Sequence, residues 1–173
     1  MQWLLITGLP GTGKTTLARQ LAQRFGVPLL GKDSVKDALL NLLGAASADD
    51  SRRLSDASFA VLFTLAGELA AANVDFILEG NFRPGEHEPA LARLGGARCA
   101  QVLCRLREPL RLARLAQRQA ERHPGHRDAD PAVVALRGCD EYLDLPGARL
   151  AFDCSESAAA AEIAAIERWW RRG

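Results

Sequence analysis

Gly8, Gly13, Lys14 and Thr15 stand at the spacing G-x-x-x-x-G-K-T inside the stretch GLPGTGKTT, residues 8–16. Each residue type in that pattern has a chemical reason. Glycine lets the backbone take left-handed conformations and approach an oxyanion closely. Successive amide N–H groups then converge on one concave nest. A helix opening at Lys14 adds N–H groups without intrahelical partners and a partial positive charge. Lys14 can reach the β- and γ-phosphates of a nucleotide, and the Thr15 hydroxyl can meet Mg²⁺. The cradle so read runs through Gly8, Pro10, Gly11, Thr12, Gly13, Lys14, Thr15 and Thr16. The lysine adds weight, because the chain holds 19 arginines and only three lysines, Lys14, Lys32 and Lys36.

The base of the nucleotide is read from what is missing. A guanine-specific site would carry K-x-D, but the lysines are followed two places on by Thr16, Ser34 and Ala38. No L-S-G-G-Q stretch is present either, which argues against a transporter-type ATPase. Adenine is the expected base.

The cradle must hang between a strand and a helix, and the flanks supply both. WLLIT (3–7) reads as a buried strand. Leu17, Ala18, Leu21 and Phe25 then recur at helical spacing until Gly26 stops the helix. VPLL (27–30) is a weaker second strand, and Asp33 or Ser34 could cap a helix running to about Leu43. GAASADDS (44–51) reads as a loop and 52–72 as a long helix. VDFILEG (74–80) and CAQVLCRL (99–106) read as strands, and Pro109 can open a helix carrying Arg111, Arg114, Arg118 and Arg122. HPGHRDADP (123–131) is a loop, with another helix expected from Pro131. ARLAFDC (148–154) is the last strand, before a helix ending in Trp169 and Trp170. Strands alternating with helices imply an α/β fold with a mostly parallel sheet covered on both faces.

The 173 residues suit one domain, 1–173, and the net charge of +1 gives no broad field for nucleic acid or membrane. The N-terminus lacks the basic region of an export signal, and no unbroken apolar run approaches membrane-spanning length, so a cytoplasmic protein is expected. Cys99, Cys104, Cys139 and Cys154 show no metal-binding spacing and read as small buried hydrophobes.

The chain resembles the P-loop kinases, in particular the group of chloramphenicol phosphotransferase, zeta-toxin kinases, gluconate kinase and polynucleotide 5′-kinases. GLPGTGKTT, Asp33 in GKDSVKDAL, ILEGNF (77–82), and Arg114 and Arg118 in LARLAQR carry the resemblance. It implies a three-layer P-loop NTPase fold with a five-stranded parallel sheet in the order 2-3-1-4-5. It also implies ATP and Mg²⁺, and an arginine-bearing lid at roughly 110–130. By the same resemblance Asp33 is a general base for the acceptor hydroxyl, unless it only caps its helix. Glu79 resembles the acidic residue that holds Mg²⁺, directly or through water, with Thr15; the alternative is an ordinary strand-end carboxylate. Asn81, Phe82 and Arg83 are either substrate contacts or a polar turn with one buried aromatic. Lys14, Arg114 and Arg118 would offset charge on the transferred phosphoryl group; a solvated helix face is the rival reading for the two arginines. Arg122 and Arg127 are weaker candidates, and His123 and His126 receive no chemistry. Lys32 and Lys36 read as solvated surface charges in preference to contacts for an anionic substrate.

These residues together point to an ATP- and Mg²⁺-dependent phosphotransferase acting on a small-molecule hydroxyl. A polynucleotide or nucleoside 5′-hydroxyl kinase is a second reading, disfavoured by the near-neutral charge. A non-catalytic ATP-binding regulator or toxin-like protein is a third. The helices at 33–43 and 52–72 and the loop after Glu79 should build the acceptor pocket, with a largely apolar lining.

Overall fold

The computed structural model describes residues 1–95, 98–119, 140–155 and 159–172. Its sheet holds five parallel strands, β1 (Gln2–Gly8), β2 (Leu29–Gly31), β3 (Phe76–Glu79), β4 (Arg98–Arg105) and β5 (Ala148–Asp153). They lie in the order β2-β3-β1-β4-β5, as expected. Strand β1 is central because its run of apolar residues can be buried on both faces. Trp3 and Leu5 point into one layer with Phe59, Leu62, Phe76, Leu78 and Phe82. Leu4 and Ile6 point into the other, with Leu17, Leu21, Ile77, Val102, Phe152 and Trp170. Each such fully buried side chain contributes about 2 kcal/mol relative to exposure.

Six helices are described: α1 (Lys14–Phe25), α2 (Lys32–Leu43), α3 (Ala48–Ala71), α4 (Glu88–Ala92), α5 (Glu108–Gln119) and α6 (Ala159–Arg171). Helix α1 starts and stops at left-handed glycines, Gly13 at φ 93° and Gly26 at φ 69°. Its last residue meets α6 through a stacked Phe25–Trp170 pair 4.6 Å apart. The Trp169–Trp170 end therefore folds onto the core, with the Arg98 guanidinium over the Trp169 ring at 4.7 Å.

Three local expectations change. Helix α3 opens four residues earlier than the sequence suggests, because Ser47 and Asp50 form a reciprocal capping box: Ser47 Oγ accepts from the Asp50 amide at 3.1 Å and Asp50 Oδ2 accepts from the Ser47 amide at 2.9 Å. Residues 48–51 are thus helix, not loop. Helix α2 begins directly at Lys32 after an extended Gly31, so neither Asp33 nor Ser34 caps it. Helix α3 is also long and apolar enough to cross a membrane by length and composition, despite its scattered polar residues; here it lies on the sheet and puts Phe59, Leu62 and Ala66 into the core. The helix expected from Pro131, the 123–131 loop, and Arg122, His123, His126 and Arg127 lie outside the described residues. The expected lid is described only as far as Gln119, the end of α5.

Candidate active site

The C-terminal ends of β2, β3 and β1 meet in register: Gly31 pairs with Glu79, and Glu79 with Ile6. A parallel sheet opens its ligand crevice at that edge. The 8–16 loop leaves β1 there. Gly8 at φ 141°, Gly11 at φ 85° and Gly13 at φ 93° all use backbone conformations that side chains resist. Space is as tight as the torsions. A Cβ on Gly8 would stand 2.3 Å from the Cys104 carbonyl oxygen of β4, and one on Gly11 would stand 2.9 Å from the Arg111 carbonyl oxygen of α5.

Inside the loop, the Leu9 carbonyl is a hub. It accepts from the Thr12 amide at 3.4 Å, from Thr12 Oγ1 at 2.8 Å and from Lys14 Nζ at 2.9 Å. The α1 ladder begins with the Leu17 amide donating to Gly13 at 3.1 Å, so the amides of Lys14, Thr15 and Thr16 lie ahead of it. Gly13 at the N-cap supplies no side-chain acceptor. A glycine loop running into an uncapped helix start is a polyphosphate cradle in form. Pro10 is half-buried at its rim and Thr16 is exposed.

Thr15 and Glu79, 64 positions apart in the chain, meet here. Thr15 Oγ1 donates to Glu79 Oε1 at 3.3 Å, with Glu79 almost wholly buried. A hydroxyl and a carboxylate are hard oxygen donors of the kind Mg²⁺ selects. Among the described residues no cluster of three or more His, Cys, Asp or Glu could cage a metal alone. Mg²⁺ commonly fits such a sparse donor pair, because it keeps waters and takes nucleotide phosphates as further ligands. Asp33 sits two residues past Gly31, at the same end of the sheet, with its side chain 28% exposed.

Lys32 and Lys36 are not solvated. Lys32 is 5% exposed and Lys36 1% exposed, between α2 and α3. Lys36 Nζ donates to Ser51 Oγ at 3.0 Å, and Lys32 Nζ reaches Ser55 Oγ and Asp33 Oδ1, both at 3.4 Å. The expectation of surface charge fails because α3 packs across them: Ser51, which the sequence reading left in a loop, meets Lys36, and Ser55 and Phe59 meet Lys32. The packed layer between these helices therefore carries hydroxyls and ammonium groups beside an apolar ring.

The loop after Glu79 divides its candidates. Asn81 is half-buried at the crevice edge. Phe82 is fully buried, its ring 5.5 Å from Phe59 and 5.8 Å from His87, while its carbonyl takes a 3.4 Å bond from Thr7 Oγ1. Of the two readings offered for Phe82, the structure gives it the place of the buried aromatic, because an apolar ring beside β1 and β3 is drawn into the core. Arg83 is tied to its own loop by Glu86 Oε2 at 2.6 Å. His87, to which the sequence reading assigned nothing, holds that loop: its Nδ1 accepts from the Arg83 amide at 2.8 Å. Burial pushes its pKa below the ordinary 6.5, so it stays neutral and able to accept.

Arg114 reaches back from α5 over the cradle. Its guanidinium lies 3.6 Å from a Cβ position on Gly13 and donates to the Cys154 carbonyl at 3.3 Å. Arg118 follows one turn later on α5; its side chain is outside the described residues. Arg111, read only as one of a row of helix arginines, is buried and donates to the Pro10 carbonyl at 3.4 Å, pinning α5 to the loop.

Two cysteines also border the cradle, and nothing in their spacing signalled it. Cys104 pairs with Gly8 one residue before the end of β4, and Cys154 follows β5 with Sγ 3.8 Å from a Gly13 Cβ position. Cys154 Sγ donates to the Phe152 carbonyl at 3.8 Å. The adjacent Cys104 thiol, with Arg114 and Lys14 nearby, lowers the pKa of Cys154 against the opposing effect of burial; the Cys154 thiol and burial raise that of Cys104.

Comparison with known proteins agrees with this geometry. A family profile described as an AAA domain matches residues 4–136. A candidate kinase from Chloroflexus aurantiacus j-10-fl is 30% identical, with a TM-score of 0.86 over 99% of this chain and 97% of its own. A sugar kinase from Janibacter sp. HTCC2649 superposes with a TM-score of 0.64 at 16% identity, covering 99% of this chain and 95% of its own. A gluconokinase from Sinorhizobium meliloti 1021 does so with a TM-score of 0.59 at 16% identity, covering 99% and 97%. These last two share the fold. No curated protein matches the sequence. With the glycine cradle at its start and a profile match over most of its length, the chain belongs to the AAA-domain family of P-loop proteins.

Proposed function

We propose that the protein is an ATP- and Mg²⁺-dependent phosphotransferase that moves the γ-phosphate of ATP to a hydroxyl of a small molecule. The observation that carries this reading is the meeting of Thr15 and Glu79 at 3.3 Å beneath the cradle, with Asp33 at the same sheet edge. A nucleotide-binding module needs the cradle. It has no use for an accessible carboxylate where an acceptor would enter.

The roles follow from position. Backbone amides of 8–16 and Lys14 bind the β- and γ-phosphates. Thr15 and Glu79 would hold Mg²⁺, which when bound offsets phosphate charge and orients the γ-phosphoryl group. Asp33 orients the acceptor and takes its hydroxyl proton as the new O–P bond forms; the bond from γ-phosphorus to the bridging oxygen breaks, and ADP leaves with the electron pair. Arg114, joined by Arg118 from the next turn, offsets charge on the equatorial oxygens.

Lys14→Ala tests the reading. ADP release should fall below detection while the circular dichroism spectrum keeps its native form. A variant that folds and turns over ATP at the original rate would refute it.

A further inference from the structure

Resting on the kinase reading above, we propose that the acceptor carries a carboxylate or phosphate oxyanion close to its reacting hydroxyl, and that Lys32 binds this group. Lysine is among the residues least often buried, and an ammonium withdrawn from water costs several kcal/mol unless strong partners replace the solvent. This chain uses lysine at three positions and puts two of them four residues apart on one face of α2.

The pair is not equivalent. Lys36, deeper in the layer, donates to Ser51 at 3.0 Å, an ordinary bond that ties α2 to α3. Lys32 repeats the arrangement one turn nearer the crevice with stretched contacts. Ser55 Oγ and Asp33 Oδ1 both stand at 3.4 Å, and the Phe59 ring centroid is 5.9 Å away. Charge-assisted bonds run to about 2.7–2.9 Å, and an ammonium offers three donors. Lys32 thus holds bonding capacity that a tie between helices does not use.

Its location gives that capacity a purpose. Lys32 is the first residue of α2, where helix amides add positive potential. Its Cβ lies 3.1 Å from a Cβ position on Gly80, at the end of β3. Asp33, beside it, is 28% exposed. An acceptor oxygen bonded to Asp33 and an oxyanion bonded to Lys32, at about 2.8 Å each, stand no more than about 9 Å apart. One small molecule spans that distance. Binding its anion at Lys32 delivers its hydroxyl to Asp33, the carboxylate that takes the proton.

The test measures ADP release and phosphorylated product with acceptor pairs that differ in the anionic group. Glycerate and glycerol 3-phosphate are compared with glycerol, lactate with propane-1,2-diol, and sugar acids with their parent sugars. The same pairs are run with Lys32→Met, which keeps the stem and removes the charge, and with Lys32→Arg. Binding of Mg-ATP, by calorimetry, reports on the nucleotide site in every protein. At least one anionic member should exceed its neutral partner by tenfold or more in kcat/KM. Lys32→Met should erase about tenfold to a hundredfold of that advantage, chiefly through KM, with Lys32→Arg recovering part. The proposal fails if neutral members are used equally well, if no acid is phosphorylated although Mg-ATP binds, or if the advantage survives in Lys32→Met. Absence of Mg-ATP binding in the unaltered protein would instead overturn the kinase reading itself.

Discussion

At the scale of single residues, three-dimensional proximity assigns roles that spacing does not. Thr15 and Glu79 belong to motifs far apart in the chain, and the 3.3 Å between them is what joins them into the pair proposed to hold Mg²⁺. Cys154 is the opposite case. Nothing around FDCSE marks it, yet its thiol lies beside Gly13, with the Cys104 thiol first and then Arg114 and Lys14 lowering its pKa. A thiol in such surroundings reacts through its thiolate. Iodoacetamide at pH 7.5 should therefore alkylate Cys154 about tenfold faster than the buried Cys99 and Cys104. Mg-ATP should slow the reaction by covering the cradle. Peptide mass spectrometry over a time course decides it; equal rates at the three sites, or no protection, would count against this arrangement.

Among elements, the segment joining β3 to α4 depends on one neutral imidazole. His87 sits among the rings of Phe59, Phe63 and Phe82 and accepts the Arg83 amide bond. Its folded pKa lies below the 6.5 of the unfolded chain. Below 6.5 the unfolded state therefore binds the proton first, and stability drains as pH falls from about 6.5 towards the lowered folded value. Above 6.5 the contribution is complete. Thermal melts should show a decline between pH 7 and pH 5, a window above the usual carboxylate range. His87→Asn should melt lower throughout but with a flatter slope in that window. An unchanged slope would mean that other groups carry the pH dependence. Helix α3 teaches a related lesson: its start carries the Ser47–Asp50 box, and the early turn brings Ser51 to Lys36.

For the whole molecule, the cradle draws on four elements at once. Strand β1 launches it, α1 receives it, β4 crowds Gly8 and α5 crowds Gly11. A ligand that grips the loop should stabilise them together. At a concentration a hundredfold above its dissociation constant, Mg-ATP should add about 2.7 kcal/mol. For a chain of this length that raises the melting temperature by roughly 5–10 °C. Differential scanning fluorimetry with and without Mg-ATP checks the shift, and Lys14→Ala should lose most of it. A full shift in that variant would place the nucleotide elsewhere.

What the sequence alone determined was local and periodic. The apolar run of β1, the glycine spacing, the helix after Lys14 and the alternation of strands with helices suffice for the fold class, and the resemblance they support supplied the strand order. Each depends on residues near one another in the chain, where steric rules and burial patterns act directly. Tertiary structure alone decided that Phe82 packs into the core, that Arg111 clamps the loop, that Cys104 and Cys154 border the cradle, and that Lys32 and Lys36 lie under α3. Those outcomes depend on which surface a distant segment covers, and a side chain's charge or size does not say what will lie above it. Burial is a property of the folded whole, and it enclosed two ordinary-looking lysines between α2 and α3.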